Sequence, residues 1–200
     1  MICRVSAILL AAGSSRRMGR PKQFLPLCDK PVINHCLDNI IAANIKDIVV
    51  VLNDNGKDCA ETMSELPVTI AFNDDPDSDM SESVRIGLHK LEPSSSGVLI
   101  CLSDHPLVTA ETMKTLIEWH EREPQKIIIP SYNGKRGHPG LFPIRCASEI
   151  DQGFTLRDIV KRDESRLRFI EVTDDGVIFD MDTVEDYERI NRLINERSVE

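Results

Sequence analysis

The chain has 200 residues, 41% of them apolar and 28% charged, with a formal net charge of −9. That length suits one α/β domain with enough interior to bury most of its surface on folding. The acidic balance argues against nucleic acid or a membrane surface as partner, and without a run of about twenty apolar residues a transmembrane helix is excluded.

The first apolar run, Val5–Ala11, is too short to cross a membrane and gives way at Gly13, which reads as a buried strand. Arg4 ahead of it and the small residues behind it imitate a secretory signal. The apolar stretch is short for that role, however, and its removal would delete the first strand. The six cysteines, Cys3, Cys28, Cys36, Cys59, Cys101 and Cys146, form no Cys-x-x-Cys pair and no framework spacing. Several sit in apolar context and read as small core residues in a reducing compartment, and the chain is expected to be cytoplasmic and complete.

From Gly13 the sequence continues Ser14-Ser15-Arg16-Arg17-Met18-Gly19-Arg20-Pro21-Lys22, small residues followed by a dense group of cations. Backbone N–H groups in such a loop approach an anion closely, and the cations hold it. The segment therefore reads as a grip for a polyphosphate at the carboxyl end of a strand, where open α/β sheets bind ligands. It is not a Walker loop, since Arg20 and Pro21 separate Gly19 from Lys22, nor a dinucleotide fingerprint, since only Gly13 and Gly19 are present. A basic island on an acidic chain favours a small anionic ligand over a polyanion.

Further strands at 47–52, 68–72, 98–102 and 126–130 alternate with helical patterns at 32–43, 56–64, 81–91 and 110–122. The alternation predicts right-handed crossovers and a mostly parallel sheet with helices on both faces. After the third strand comes Asn73, whose amide offers donor and acceptor together and suits a base edge; Asp79 or Ser81 then caps the next helix. The fourth strand ends in Ser103-Asp104-His105-Pro106, which puts Asp104 on the same edge as the glycine loop. A carboxylate beside a polyphosphate there would hold Mg²⁺, while Thr109 is the better cap for the helix at 110.

In residues 132–140, Asn133-Gly134 followed by Lys135 and Arg136 reads as a hairpin turn with a solvated basic tip or as a ligand loop. The last third is less regular, with short strands at 141–143 and 168–172, a short helix at 156–161 and a terminal helix at 182–196. Thr183 and Asp186 make a capping box for that helix. Asp180 and Asp182, two apart, would share a face on a short strand. No linker divides the chain, so 1–200 is read as one domain.

Gly13, Arg17-Met18-Gly19 and Lys22 match, position by position, the signature of the molybdopterin-dinucleotide-forming nucleotidyltransferases. The likeness runs from Val5 to about Tyr187 and resembles the molybdenum cofactor cytidylyltransferase group. Ser103-Asp104-His105-Pro106 resembles the family's Asp, variable residue, Pro, with His105 in the variable place and not expected to be a ligand. The segment from Phe179 to Asp186 resembles the family's closing acidic motif, with Val184 where Pro is usual. Asn73, Met80, Ser81, Ser83 and Gly87-Leu88 fit its nucleotide-contacting segment, although Asp79 stands where Gly is usual. Leu10-Ala11-Ala12-Gly13 resembles the cytidylyl version, whereas the guanylyl version has two glycines after Leu-Ala. Gly137-His138-Pro139 before Leu141-Phe142 resembles the CTP-handling branch.

The resemblance implies a single-domain Rossmann-like three-layer α/β sandwich with a mostly parallel central sheet, of the nucleotide-diphospho-sugar transferase type. It implies Mg²⁺-dependent transfer of CMP from CTP, or a nucleotide from another triphosphate, to the phosphate of molybdopterin, with release of pyrophosphate. Arg17, Lys22 and Asp104 would be catalytic, and Leu10, Ala11, Ala12, Gly13, Ser14, Ser15, Asn73 and Ser83 would bind the nucleotide. Asp104, with Asp182 as the best match and Asp180 as the alternate, would hold the metal. Lys135, Arg136, Gly137, His138 and Pro139 would meet the acceptor. An apo-molybdoenzyme or its chaperone would be the protein partner. The rival readings are GTP use, a sugar or polyol phosphate acceptor, and a non-catalytic carrier of the finished dinucleotide.

Overall fold

The computed structural model describes residues 4–13, 21–75 and 77–197. In chain order its first elements are β1 (Val5–Ala11), the small pair β2 (Pro26–Leu27) and β3 (Lys30–Pro31), α1 (Val32–Ala42) and β4 (Ile48–Leu52). Next come α2 (Lys57–Ala60), β5 (Thr69–Phe72), α3 (Met80–Leu88), β6 (Gly97–Leu102) and α4 (Ala110–Arg122). The remainder is β7 (Ile127–Tyr132), β8 (Lys135–Arg136), β9 (Gly140–Pro143), α5 (Ile144–Ala147), α6 (Leu156–Arg162), β10 (Leu167–Glu171) and α7 (Val184–Arg197).

The main sheet runs β10-β7-β9-β6-β1-β4-β5, with β8 beside β7. Strand β1 pairs in parallel with both β4 and β6, β4 with β5, and β10 with β7. The exceptions are β9, antiparallel to β6 and β7, and β8, antiparallel to β7. All seven residues of β1 and all five of β4 are buried, as a sheet covered on both faces requires. Alternate side chains go to opposite layers. Ala7, Leu9, Val50 and Leu52 pack with Ile33, Leu37, Met113 and Leu116 of α1 and α4. Ile8, Leu10, Val49 and Val51 pack with Val84 of α3, Cys146 of α5 and Ile159 of α6. This is the expected α/β sandwich with a mostly parallel central sheet.

Helix α3 lies unusually close to the sheet. A Cβ added at Gly87 would stand 2.8 Å from the side chain of Ile8, so only glycine permits this approach. Asp79, and not Ser81, caps α3, accepting from the backbone N–H of Ser81 and Glu82. The helix expected over 56–64 is instead a 3-10 turn at Asp54–Gly56, the four residues of α2 and a second 3-10 turn at Glu61–Met63. Gly56 weakens the helix start, and the buried Met63 fixes the segment to the core.

On α4, His120 is fully buried over Gly97, with Nε2 3.4 Å from Ser96 Oγ. Burial lowers its proton affinity below the ordinary histidine value. The unfolded chain takes up that proton near pH 6.5, so stability is complete above this pH and falls as the pH drops below it. The thermal midpoint should therefore decline between pH 7.5 and 5, and the decline should flatten in His120→Gln.

Candidate active site

The carboxyl ends of β1, β4, β5 and β6 share one edge because these strands are parallel. Leu10 and Ala11 are buried in the two core layers, so at this edge they offer backbone only. Two amides organise that backbone: Gln23 Nε2 donates to Ala11 O and Asn53 Nδ2 donates to Ala12 O, both at 2.9 Å. Gly13 is exposed, with open space where a Cβ would be. Ser14, Ser15 and Arg17 lie outside the described residues, as do Arg16, Met18, Gly19 and Arg20.

Lys22 opens a 3-10 turn, Lys22–Phe24, and its Nζ reaches across the edge. It donates to Asp104 Oδ2 at 2.8 Å and to Asp182 Oδ1 at 2.7 Å. The Lys22 side chain is 14% exposed and that of Asp104 22%, so water screens this pair less than a surface ion pair. Burial acts to lower the Lys22 pKa, but the two carboxylates outweigh it and raise it. Burial likewise acts to raise the Asp104 pKa. The hydrogen bond and charge of His105, then those of Lys22, hold that carboxyl well below its ordinary value. Asp104 is therefore an anion at any physiological pH.

The segment after β10 completes the edge. Met181 N donates to Asp104 O at 2.9 Å, which docks residues 180–182 beside the end of β6. Asp180 and Asp182 do not lie on a strand. Asp182 meets Lys22, while the charge of Asp180 acts on His138. Thr183 and Asp186 form the expected box ahead of α7, with Asp186 N donating to Thr183 Oγ1 at 3.1 Å and Thr183 N to Asp186 Oδ2 at 2.9 Å.

Asn73 is buried and takes part in its own loop. Its Nδ2 donates to Ser78 Oγ at 2.9 Å and to Ser83 Oγ at 2.8 Å, and Asp75 N donates to its Oδ1. These contacts tie Asn73 and Ser83 together at the start of α3. Residues 133 and 134 make the turn of a β7–β8 hairpin, with φ of 50° and 73°, pairing Ser131 with Arg136 and Tyr132 with Lys135. Lys135 and Arg136 are exposed, and the Arg136 guanidinium stacks on Phe169 with its centre 4.5 Å from the ring.

Beyond this hairpin, Gly137 N donates to Pro130 O and His138 N to Val177 O, both at 2.8 Å, which turns His138 toward Asp104. Its ring centre is 5.1 Å from that of His105, edge to face. Surrounding protein and then the His105 charge bring the His138 pKa down to about 4, while Asp104 and Asp180 pull the other way. His138 is thus a neutral hydrogen-bonding ring at neutral pH. His105 Nδ1 donates to Asp104 Oδ1 at 2.8 Å, a contact for which the motif carries no signal.

Asp104 and Asp182 present oxygens to one ammonium, and hard carboxylate oxygens so placed suit Mg²⁺ or Mn²⁺. Among the described residues no group of three His, Cys, Asp or Glu side chains is gathered for a metal.

Residues 7–169 match a family model described as a MobA-like NTP transferase domain. The chain is 27% identical to nicotine blue oxidoreductase of Paenarthrobacter nicotinovorans, over 93% of this chain and 96% of that one. It is 33% identical to the bifunctional protein GlmU of Clostridium tetani over 58% of its length, and spans only about a quarter (26%) of that relative. Among solved structures, Rv0371c of Mycobacterium tuberculosis in complex with manganese superposes with a TM-score of 0.80 at 25% identity, covering 96% of this chain and all of that one.

Proposed function

We propose, from the premise that this chain belongs to the MobA-like NTP transferase family and is a nucleotidyltransferase, that it transfers CMP from CTP to the terminal phosphate of a molybdopterin-type acceptor. Residues 1–200 would act as one nucleotidyltransferase domain. The observation that carries this reading is the pair of carboxylates, Asp104 and Asp182, gathered on Lys22 at the sheet edge where β1 runs into the glycine loop. CTP over GTP follows from Ala12, where the guanylyl pattern would have glycine.

In the proposed reaction an oxygen of the acceptor phosphate attacks the α-phosphorus of CTP in line. A new P–O bond forms, the bond to the bridging oxygen breaks, and pyrophosphate leaves with the electron pair. Catalysis of this kind rests on positioning and charge, and no protein nucleophile is required. Lys22 neutralises the phosphates of the leaving group, aided by the backbone N–H groups that begin at Gly13. Arg17 would add a second cation. Asp104 and Asp182 would hold Mg²⁺, which when bound supplies positive charge at the α-phosphate. Asn73 and Ser83 order the loop proposed to face the base. His138 would donate or accept a hydrogen bond at the acceptor without changing charge at neutral pH, with Lys135 and Arg136 at its anionic rim. The apo-molybdoenzyme that receives the product, or its chaperone, would be the protein partner, in the cytoplasm.

The test is pyrophosphate release with Mg²⁺, molybdopterin (with and without molybdenum) and each ribonucleoside triphosphate in turn. Release with CTP alone is the expected result. Release with GTP would overturn the base assignment, and release only with a sugar or polyol phosphate would overturn the acceptor. The whole-length likeness to a protein named as an oxidoreductase favours one other reading, in which the same edge serves a redox reaction. Oxidation or reduction of a substrate without pyrophosphate release would select it.

A further inference from the structure

We propose that Asp174 is a positioning residue for the metal-binding edge, setting the place of Asp182 and His138 without touching either; this rests on the nucleotidyltransferase reading above. Asp174 lies just after β10, in the irregular segment that leads to α7. Its Oδ2 accepts three hydrogen bonds from the start of α4: Thr109 N at 2.9 Å, Thr109 Oγ1 at 2.9 Å and Thr112 Oγ1 at 2.7 Å. Its Oδ1 accepts from Gly176 N at 2.9 Å. A carboxylate at a helix N-terminus also meets the positive end of the helix dipole. Four donors and a dipole on one side chain make this a built anchor, where a solvated surface acid would have no such set.

What the anchor holds follows along the chain. Gly176 lies flat on the backbone of Leu107, so close that a Cβ there would stand 2.5 Å from Leu107 O. Val177 is buried, and its carbonyl accepts the His138 N–H at 2.8 Å. Met181 is buried in a small core with Leu25, Leu27, Leu107 and Ile190, and its N–H donates to Asp104 O. Asp182, the next residue, carries the oxygen that meets Lys22. Within this stretch the regular structure is a single 3-10 turn, Asp175–Ile178. Its shape is set by its contacts, and Asp174 ties it to the sheet-flanking helix. The residues that orient a metal ligand commonly matter almost as much as the ligand itself.

The test compares wild type with Asp174→Asn, Asp174→Ala, Thr112→Val and Thr112→Ser, each checked for folding by its thermal midpoint. Thr112→Val approaches the same contact from the partner side and keeps the proposal testable should the Asp174 variants fail to fold. Three readouts are taken well below the midpoint: Mn²⁺ affinity by water proton relaxation, amide hydrogen exchange at His138 and Met181, and pyrophosphate release. Asp174→Asn and Thr112→Val should exchange faster at both amides and bind Mn²⁺ about 10–100-fold more weakly. Their kcat should fall while the KM for CTP stays near that of wild type, and Thr112→Ser should behave as wild type. Folded variants with unchanged Mn²⁺ affinity and unchanged exchange would overturn the proposal, whatever happens to the midpoint. Wild type that binds Mn²⁺ in an Asp174-dependent way yet releases no pyrophosphate would support the positioning role and overturn the nucleotidyl-transfer reading. Wild type that binds no Mn²⁺ would overturn the positioning role.

Discussion

Lys22→Ala is expected to lower the rate of pyrophosphate release by about 10²–10³, the usual cost of removing one preorganised group that stabilises developing charge. The geometry gives the loss two sources. In the proposed reaction the leaving phosphates lose a cation held at a fixed point, because Lys22 is pinned between Asp104 and Asp182. The two carboxylates also lose the ammonium that lets them stand close together, so a divalent cation must supply that charge alone. The Mg²⁺ dependence should therefore steepen while the KM for CTP changes less than kcat. Folding should be retained, since the core layers do not include Lys22. Lys22→Arg is the informative companion: it keeps the charge but carries a planar fork in place of a point donor, and should recover only part of the rate. Normal turnover in Lys22→Ala would remove the assignment.

Asp104→Asn is expected to cost more, roughly 10³-fold or beyond, because it removes the charge proposed to hold the metal. The change is nearly isosteric, so the new amide oxygen can still accept from His105, and the end of β6 should keep its shape. What disappears is the anion that Lys22 and His105 hold deprotonated. The loss should appear as a raised Mg²⁺ requirement, partly relieved by Mn²⁺. Loss of the same size at saturating Mg²⁺ and Mn²⁺ alike, with unchanged metal affinity, would show that Asp104 acts in another way.

Much of the scaffold was legible in the chain because buried parallel strands read as unbroken apolar runs. β1, β4 and β6 and the helices α1 and α4 lie where the periodicity puts them, and Thr109 and Thr183 cap as their spacing foretells. Gly13 and Asp104 fall on one edge for the same reason: both follow parallel strands. The rest depends on partners far apart in sequence. Residues 141–143 read as a strand, but nothing local says that β9 enters antiparallel between β6 and β7. The strands β2, β3 and β8 are two residues each, too short to show a period. The resemblance prefers Asp182 to Asp180, spacing alone treats them as equals on a strand they do not form, and the contact of Asp182 with Lys22 depends on a residue 160 positions away. The hydrogen bond from His105 to Asp104, and the clasp of Asp174 on α4, join residues whose neighbours in sequence carry no pattern for it.

The reversed strand β9 has a consequence for how far the molecule can be divided. Apart from Asp182 of the proposed metal pair, the residues proposed for the nucleotide lie before residue 105 and those proposed for the acceptor lie after 131, which invites the view of two detachable modules. Yet β6 gives one ladder to β1 and the other to β9, from Gly97 with Pro143 to Ile100 with Gly140. A fragment ending at Tyr132 would leave β6, the strand that leads to Asp104, as a raw, sticky rim of apolar backbone, the kind of edge that recruits stray chains. The two halves of the cleft are therefore sewn together through the middle of the sheet. Recombination between relatives should succeed by exchanging loops at the rim and fail when it cuts across this seam.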